Sequence, residues 1–206
     1  MPDGSLTVKK GRKFDQVLAG ARDIFMTQGF EGASVDEIAK NAGVSKATLY
    51  SYFPDKRLLF MEVAKAECQR QADEILTETS DDDPLDVVLL EIANRFVSFI
   101  TSDFGQRVFR ICVAESDRFP ELGREFYESG PMLMRGHMIE LLHCAQERGD
   151  VDVEDFELAS DQFSELCKAD LFPRMVFSVS RTFTEGEKTR VAQGAVKTFL
   201  ARYQKR

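Results

Sequence analysis

The sequence contains no tryptophan and only two histidines. His137 and His143 are six residues apart, which puts them on different faces of a helix, so a shared metal is not expected. The four cysteines, Cys68, Cys112, Cys144 and Cys167, are widely spaced and form no CxxC pair. They read as reduced, mostly buried thiols of a cytosolic protein. Apolar runs are a handful of residues long, too short to span a bilayer. The opening stretch "MPDGSLTVKKGRK" lacks the apolar segment of a secretory signal. No nucleophile–base constellation and no phosphate loop stands out. Neither catalysis nor a cofactor is expected, and the expected location is the cytoplasm.

What is abundant is phenylalanine, 17 residues of it, within a hydrophobic fraction of 43% that can supply a core. A length of 206 residues suits one large domain or two small ones. The net charge of -8 conceals a division. Residues 1–57 carry nine Lys and Arg against seven Asp and Glu, a balance of +2; the remainder carries 18 against 28, a balance of -10. An acidic body repels DNA, so any DNA contact must be confined to the N-terminal quarter.

Apolar residues recur at helical spacing nearly throughout. Phe14, Val17, Leu18, Ala21, Ile24 and Phe25 share one helical face, and Gly29 is placed to end that helix. Ser34 with Glu37 reads as a capping box opening a short helix over 35–41. Gly43 supplies a turn, and Ser45 can cap a second short helix over 46–52. Pro54 stops that helix, and Asp55 can cap a long one over 56–78. After the polar break "TSDDDPLD" come a helix over 85–101, two helices opened by Pro120 and Pro131, one over 155–178 kinked at Pro173, and a last one over 185–203. No strand alternation is evident. The expected fold is all-α, with about nine helices: an N-terminal three-helix domain and a C-terminal helical bundle body.

Two short helices joined by a glycine turn and packed on a longer one form a helix-turn-helix. Ile38, Ala39, Ala42, Val44 and Leu49 suit its inner side, against Phe14, Leu18 and Phe25. Lys46, Thr48, Tyr50, Ser51 and Tyr52 are left without a core role. They crowd hydroxyl and ammonium donors near a helix N-terminus, where free N–H groups favour phosphate, on a helix that fits the major groove. Outside such a motif, Tyr50 and Tyr52 would read as half-buried aromatics. "KKGRK" (9–13) reads equally as a basic arm for a minor groove or as a solvated tail.

The run "GVSKATLYSYFPDKRLLF", preceded by "SVDEIAKNAG", strongly resembles the TetR/AcrR family of bacterial transcriptional repressors over residues 13–60. "FRICVAESDRFPELGREFYESGP" (109–131) resembles, more weakly, the AefR-like C-terminal subgroup. The resemblance implies a DNA-binding domain over 1–57 and a ligand-binding and dimerisation domain over 58–206; the basic composition of 1–12 suits a flexible arm of the first. It implies that Ser34 touches phosphate, that Lys46, Ala47, Thr48 and Tyr50 line the recognition helix, that Ser51 holds a variable specificity position, and that Tyr52 and Lys56 grip phosphates. Ala47 departs from a frequent glycine and offers a methyl to thymine. Ser51 is shorter than is common there, and Arg57 replaces a frequent acidic residue and can add a phosphate contact.

In the body, phenylalanine and methionine at helical spacing suit either a core or an adaptable pocket wall. The candidate lining is Phe96, Phe99, Phe109, Met134 and Met138, with Met132 nearby. His137 is either a satisfied structural histidine or a polar handle for a ligand. Arg118 and Glu121 suit a capping and salt-bridge arrangement around Pro120. A four-helix dimer interface from the last two helices would use Phe163, Leu166, Phe172, Val176, Val191, Val196 and Phe199. The expected partners are double-stranded operator DNA, a second copy as homodimer and a small-molecule effector, apolar or amphipathic, with no membrane involved. The rival readings are a DNA-binding regulator switched by a protein partner and, from another class, a helical enzyme.

Overall fold

The computed structural model describes residues 11, 13–78, 83–117 and 119–205. The basic stretch over 1–10 and 12, the acidic break over 79–82 and Arg118 lie outside the described residues. Among the described residues eleven helices follow one another: α1 (Phe14–Gly32), α2 (Val35–Asn41), α3 (Lys46–Tyr52), α4 (Lys56–Glu78), α5 (Leu85–Thr101), α6 (Asp103–Glu115), α7 (Pro120–Ser129), α8 (Pro131–Arg148), α9 (Phe156–Leu166), α10 (Leu171–Val176) and α11 (Glu185–Tyr203). Among the described residues there is no strand, only an isolated antiparallel bridge between Val151 and Gln204.

Local chemistry sets the boundaries. Ser34 Oγ accepts the Glu37 N–H at 3.1 Å to open α2, and Ser45 Oγ accepts the Thr48 N–H at 3.1 Å to open α3. Gly43 holds φ 61 in the turn between them, a backbone region that side chains with a Cβ resist. Gly29 breaks α1 at φ 71, but the chain continues to Gly32 rather than stopping. Arg107 of α6 lies against Gly29, where a Cβ would meet its Nε at 2.9 Å. Thr184 and Glu187 form a full capping box at the start of α11.

Two helices were not expected from the sequence. Helix α6 is a complete element, opened by Ser102 Oγ accepting the Gly105 N–H at 3.0 Å. The single helix expected over 155–178 is two. The chain leaves the helix at Cys167, and Asp170 adopts φ 65 before α10 begins. Pro173 therefore produces no kink. It occupies the first turn of α10, where its missing N–H is tolerated.

Two apolar clusters organise the chain. The first joins α1, α2, α3 and the first turns of α4 through Phe14, Phe25, Ile38, Leu49, Phe53 and Phe60, and takes in Phe104, Val108 and Cys112 of α6. The second gathers α5, α8, α9 and α11. The boundary placed after Arg57 is thus no break in packing: Leu59, Phe60, Met61, Val63 and Ala64 remain buried with the N-terminal helices.

This core takes up two residues expected at a dimer interface, Phe163 and Phe199. Phe163 and Phe199 are 0% and 1% exposed within one protomer. Their rings meet edge to face at 5.2 Å, so they hold α9 against α11 and cannot seal a subunit interface. Val191 and Val196 are buried in the same cluster, and Leu166 packs on it. Phe172 packs instead on Phe109, with ring centroids 5.0 Å apart, and Val176 is half-buried. The apolar stripe of α11 faces its own core, and Thr189, Gln193 and Lys197 face outward.

Candidate DNA-contact surface and internal cavity

Helix α3 is anchored from below. Leu49 and Phe53 are buried, and Phe53 packs on Phe14 with ring centroids 5.3 Å apart. The preceding turn is clamped by Gln16, whose Nε2 donates to the Ala42 carbonyl at 2.7 Å, and by Asn41, whose Nδ2 donates to the Gly20 carbonyl at 3.0 Å. With the inner side fixed, Lys46, Ala47, Tyr50 and Ser51 form one exposed face at i, i+1, i+4 and i+5.

The remaining expected contacts differ in how free they are. Ser34 is exposed, and its hydroxyl also donates to Glu37 Oε2 at 2.9 Å. Lys46 is exposed and ion-paired to Asp36 at 2.8 Å, which holds its ammonium above the ordinary lysine range. Thr48 is half-buried, with its hydroxyl 2.8 Å from that of Ser45. Tyr52 is half-buried, its ring edge-on to Phe14. Lys56 Nζ donates to the Phe30 and Ala33 carbonyls at 2.7 and 3.1 Å and lies 4.4 Å from the Phe30 ring centroid. An ammonium has three donors, so Lys56 caps the end of α1 and keeps one N–H for another acceptor.

Arg57, read from the sequence as able to add a phosphate contact, is engaged within the protein. Its guanidinium binds Asp55 at 2.6 Å and Glu115 of α6 at 2.7 Å, making it a strut between the start of α4 and the end of α6. Arg22 of α1 similarly reaches the buried Glu67 of α4 at 2.9 Å. Neither strut was visible in the sequence, because the partners lie 58 and 45 residues apart.

The body carries a cavity of about 600 Å³ that is partly open to solvent. Phe96, Phe99, Phe109, Met134, His137 and Met138 all lie on its wall. Phe126, Tyr127 and Phe172 add aromatic surface that sequence reasoning left out or placed elsewhere. Three basic residues on the wall are all engaged. Arg95 pairs with Glu91, Arg135 binds Asp161 with Nε at 2.9 Å, and Lys168 pairs with Glu165 at 2.6 Å. Cys68 also lines the wall, and burial pushes its thiol up to about 11, so it stays protonated. His137 differs from its neighbours: neither ring nitrogen has a hydrogen-bond partner or contact with solvent. A polar group so placed costs about 1–3 kcal/mol. Glu140 is 3.9 Å from Nδ1, beyond hydrogen-bond reach.

Helix α6 belongs to both regions. Gly105, Val108 and Phe109 line the cavity, and Phe104, Val108 and Cys112 enter the N-terminal core, where Phe104 packs on Phe60 at 5.2 Å.

A helix-turn-helix unit built onto a hollow helical body is the architecture of a helix-turn-helix transcriptional regulator. Residues 17–63 match the model of the tetR family of bacterial regulatory proteins, and residues 87–205 match that of the AefR-like transcriptional repressor C-terminal domain. The chain belongs to the TetR family, with an AefR-like body. It superposes on a TetR-family transcriptional regulator from Mesorhizobium loti with a TM-score of 0.76 and 29% identity, covering 94% of this chain and 97% of that one. It is similar also to the flavonoid-responsive regulator FrrA, with a TM-score of 0.64 and 34% identity over 96% and 100% of the two chains. The transcriptional repressor AcnR of Corynebacterium jeikeium is 34% identical over 73 residues, 35% of this chain and 38% of that protein. The similarity to that curated relative thus spans less than two fifths of its length. No described helix is long and apolar enough to cross a membrane.

Proposed function

We propose that the protein is a dimeric transcriptional repressor that holds operator DNA through α3 and lets it go when a small apolar or amphipathic molecule fills the body cavity. The observation that carries this reading is the double membership of α6. Val108 belongs both to the cavity wall and to the core of the DNA-contacting region. A ligand that shifts α6 must therefore disturb its contacts with Phe60 and, through Arg57–Glu115, with the start of α4. In a dimer that displacement changes the spacing of two recognition helices, and half-site spacing is what an operator measures. Repression falls because the ligand prefers the misspaced state.

The names of the relatives support the parts of this reading. AcnR is a repressor, and FrrA is flavonoid-responsive, which brings aromatic molecules of that size into consideration for this cavity. Cavities of 300–1,000 Å³ hold drug-sized ligands, as a range of about that order. The test is retention of genomic fragments by the purified protein, followed by release with a panel of compounds. Specific, salt-sensitive retention reversed by a compound is expected. Retention that no compound reverses would favour switching by a protein partner, and absence of specific retention would end the reading.

A further inference from the structure

The wall of the cavity restricts what can occupy it. Its aromatic rings, among them Phe96, Phe99, Phe109 and Phe172, favour a flat aromatic body. Its cations are already committed to carboxylates, at Arg95–Glu91, Arg135–Asp161 and Lys168–Glu165. An anion would have to separate one of these pairs or lie unpaired among apolar side chains, and both are unfavourable. That leaves His137. Its side chain is 29% exposed, yet neither nitrogen contributes to that exposure, so the exposed atoms are carbons. A half-turn about the Cβ–Cγ bond exchanges Nδ1 with Cδ2 and Nε2 with Cε1. This torsion is broad and nearly two-fold in histidine. The turn gives up no hydrogen bond, since the buried nitrogens make none.

We infer that His137 is the polar anchor of the cavity, turning its ring to hydrogen-bond an uncharged aromatic ligand that carries a hydroxyl. This rests on the effector reading above and narrows it to one chemical class. The protonated Cys68 thiol is no nucleophile at neutral pH, so binding is non-covalent.

The test is calorimetric titration of the intact protein with a monohydroxylated flavone, unsubstituted flavone and dodecanoate. The hydroxylated flavone should bind about tenfold tighter than its parent, the value of one hydrogen bond, and dodecanoate more weakly than either. His137→Phe keeps an aromatic ring and should abolish the tenfold advantage, whereas His137→Gln should keep part of it. Equal binding of the two flavones, an advantage that survives His137→Phe, or tightest binding of dodecanoate would overturn the inference. So would binding of none of the three. If His137→Phe does not fold, the two flavones on the native protein and the His137→Gln variant still decide. Failure of the underlying repressor reading is separately visible, as absence of specific fragment retention by the native protein.

Discussion

The N-terminal core and the cavity wall of the body use phenylalanine differently. Around α1 and α4 the rings touch one another: Phe25 meets Phe60 at 4.9 Å, Phe30 meets Phe60 at 5.2 Å, and Phe60 meets Phe104 at 5.2 Å. In the body, Phe96, Phe99 and Phe109 face a shared space of about 600 Å³. Close-packed rings transmit a displacement, because a packed core deforms little. Rings around a void can admit a guest. The two uses meet at α6, which lines the cavity through Phe109 and enters the N-terminal core through Phe104.

The largest expected effect lies where the body itself is close-packed. Phe199→Asp puts a carboxylate beside Phe163 and Tyr203 in the protomer core. It should destabilise by more than about 4 kcal/mol, or prevent folding, rather than yield a clean monomer. Sedimentation with circular dichroism distinguishes these: a folded, well-behaved monomer would return Phe199 to a subunit interface.

Phe60→Ala and Phe96→Ala then test the contrast itself. The first opens a hole among packed rings and should cost about 3–5 kcal/mol in denaturant unfolding. The second enlarges a space that already exists and should cost less than half as much. Equal losses would mean that the body cavity collapses around its wall and is not a lasting void.

Lys56→Ala should lower operator affinity alike on all sequences and reduce the slope of log affinity against log salt by about one. It should also weaken the junction after α1, since Nζ binds the Phe30 and Ala33 carbonyls. Operator titrations at several salt concentrations, beside a melting curve, separate the two roles. An unchanged slope with a lowered melting point would leave Lys56 as a cap alone.

The smallest effect concerns acid. Glu187 is lowered from 4.5 to about 2, first by the Thr184 backbone N–H, then by its hydroxyl and by Arg174. A carboxylate depressed on folding contributes stability above about 4.5, and that contribution is lost as pH falls toward 2. Glu187→Gln should therefore flatten the decline in stability between these values. Parallel declines in parent and variant would remove Glu187 from the acid response.

Local chemistry was legible in the sequence, and distant pairing was not. The caps at Ser34 and Ser45 and the turn at Gly43 follow from residues within four positions of one another. The exposed face of α3 was legible in part: Lys46, Tyr50 and Ser51 are exposed, whereas Thr48 and Tyr52 are half-buried. Helix α6 escaped notice although Phe104, Val108, Ile111 and Cys112 repeat at i, i+4, i+7 and i+8, because Gly105 so near its start and the polar run at its end weaken the pattern. Phe163 and Phe199 show the deeper limit. Periodicity reveals that a face is apolar, but not whether its own body or a second subunit covers it. Arg57 shows the same limit for charge, since Glu115 comes beside it only after α6 folds back on α4.

The central claim is that occupancy of the cavity and hold on DNA are coupled through α6, and coupling is reciprocal. The direct measurement is calorimetry of a releasing compound with the free protein and with the operator-bound protein. The account predicts that operator weakens the compound about 5- to 150-fold, equivalent to about 1–3 kcal/mol. Equal affinity in the two states would contradict it, because a ligand that does not distinguish the states cannot move DNA.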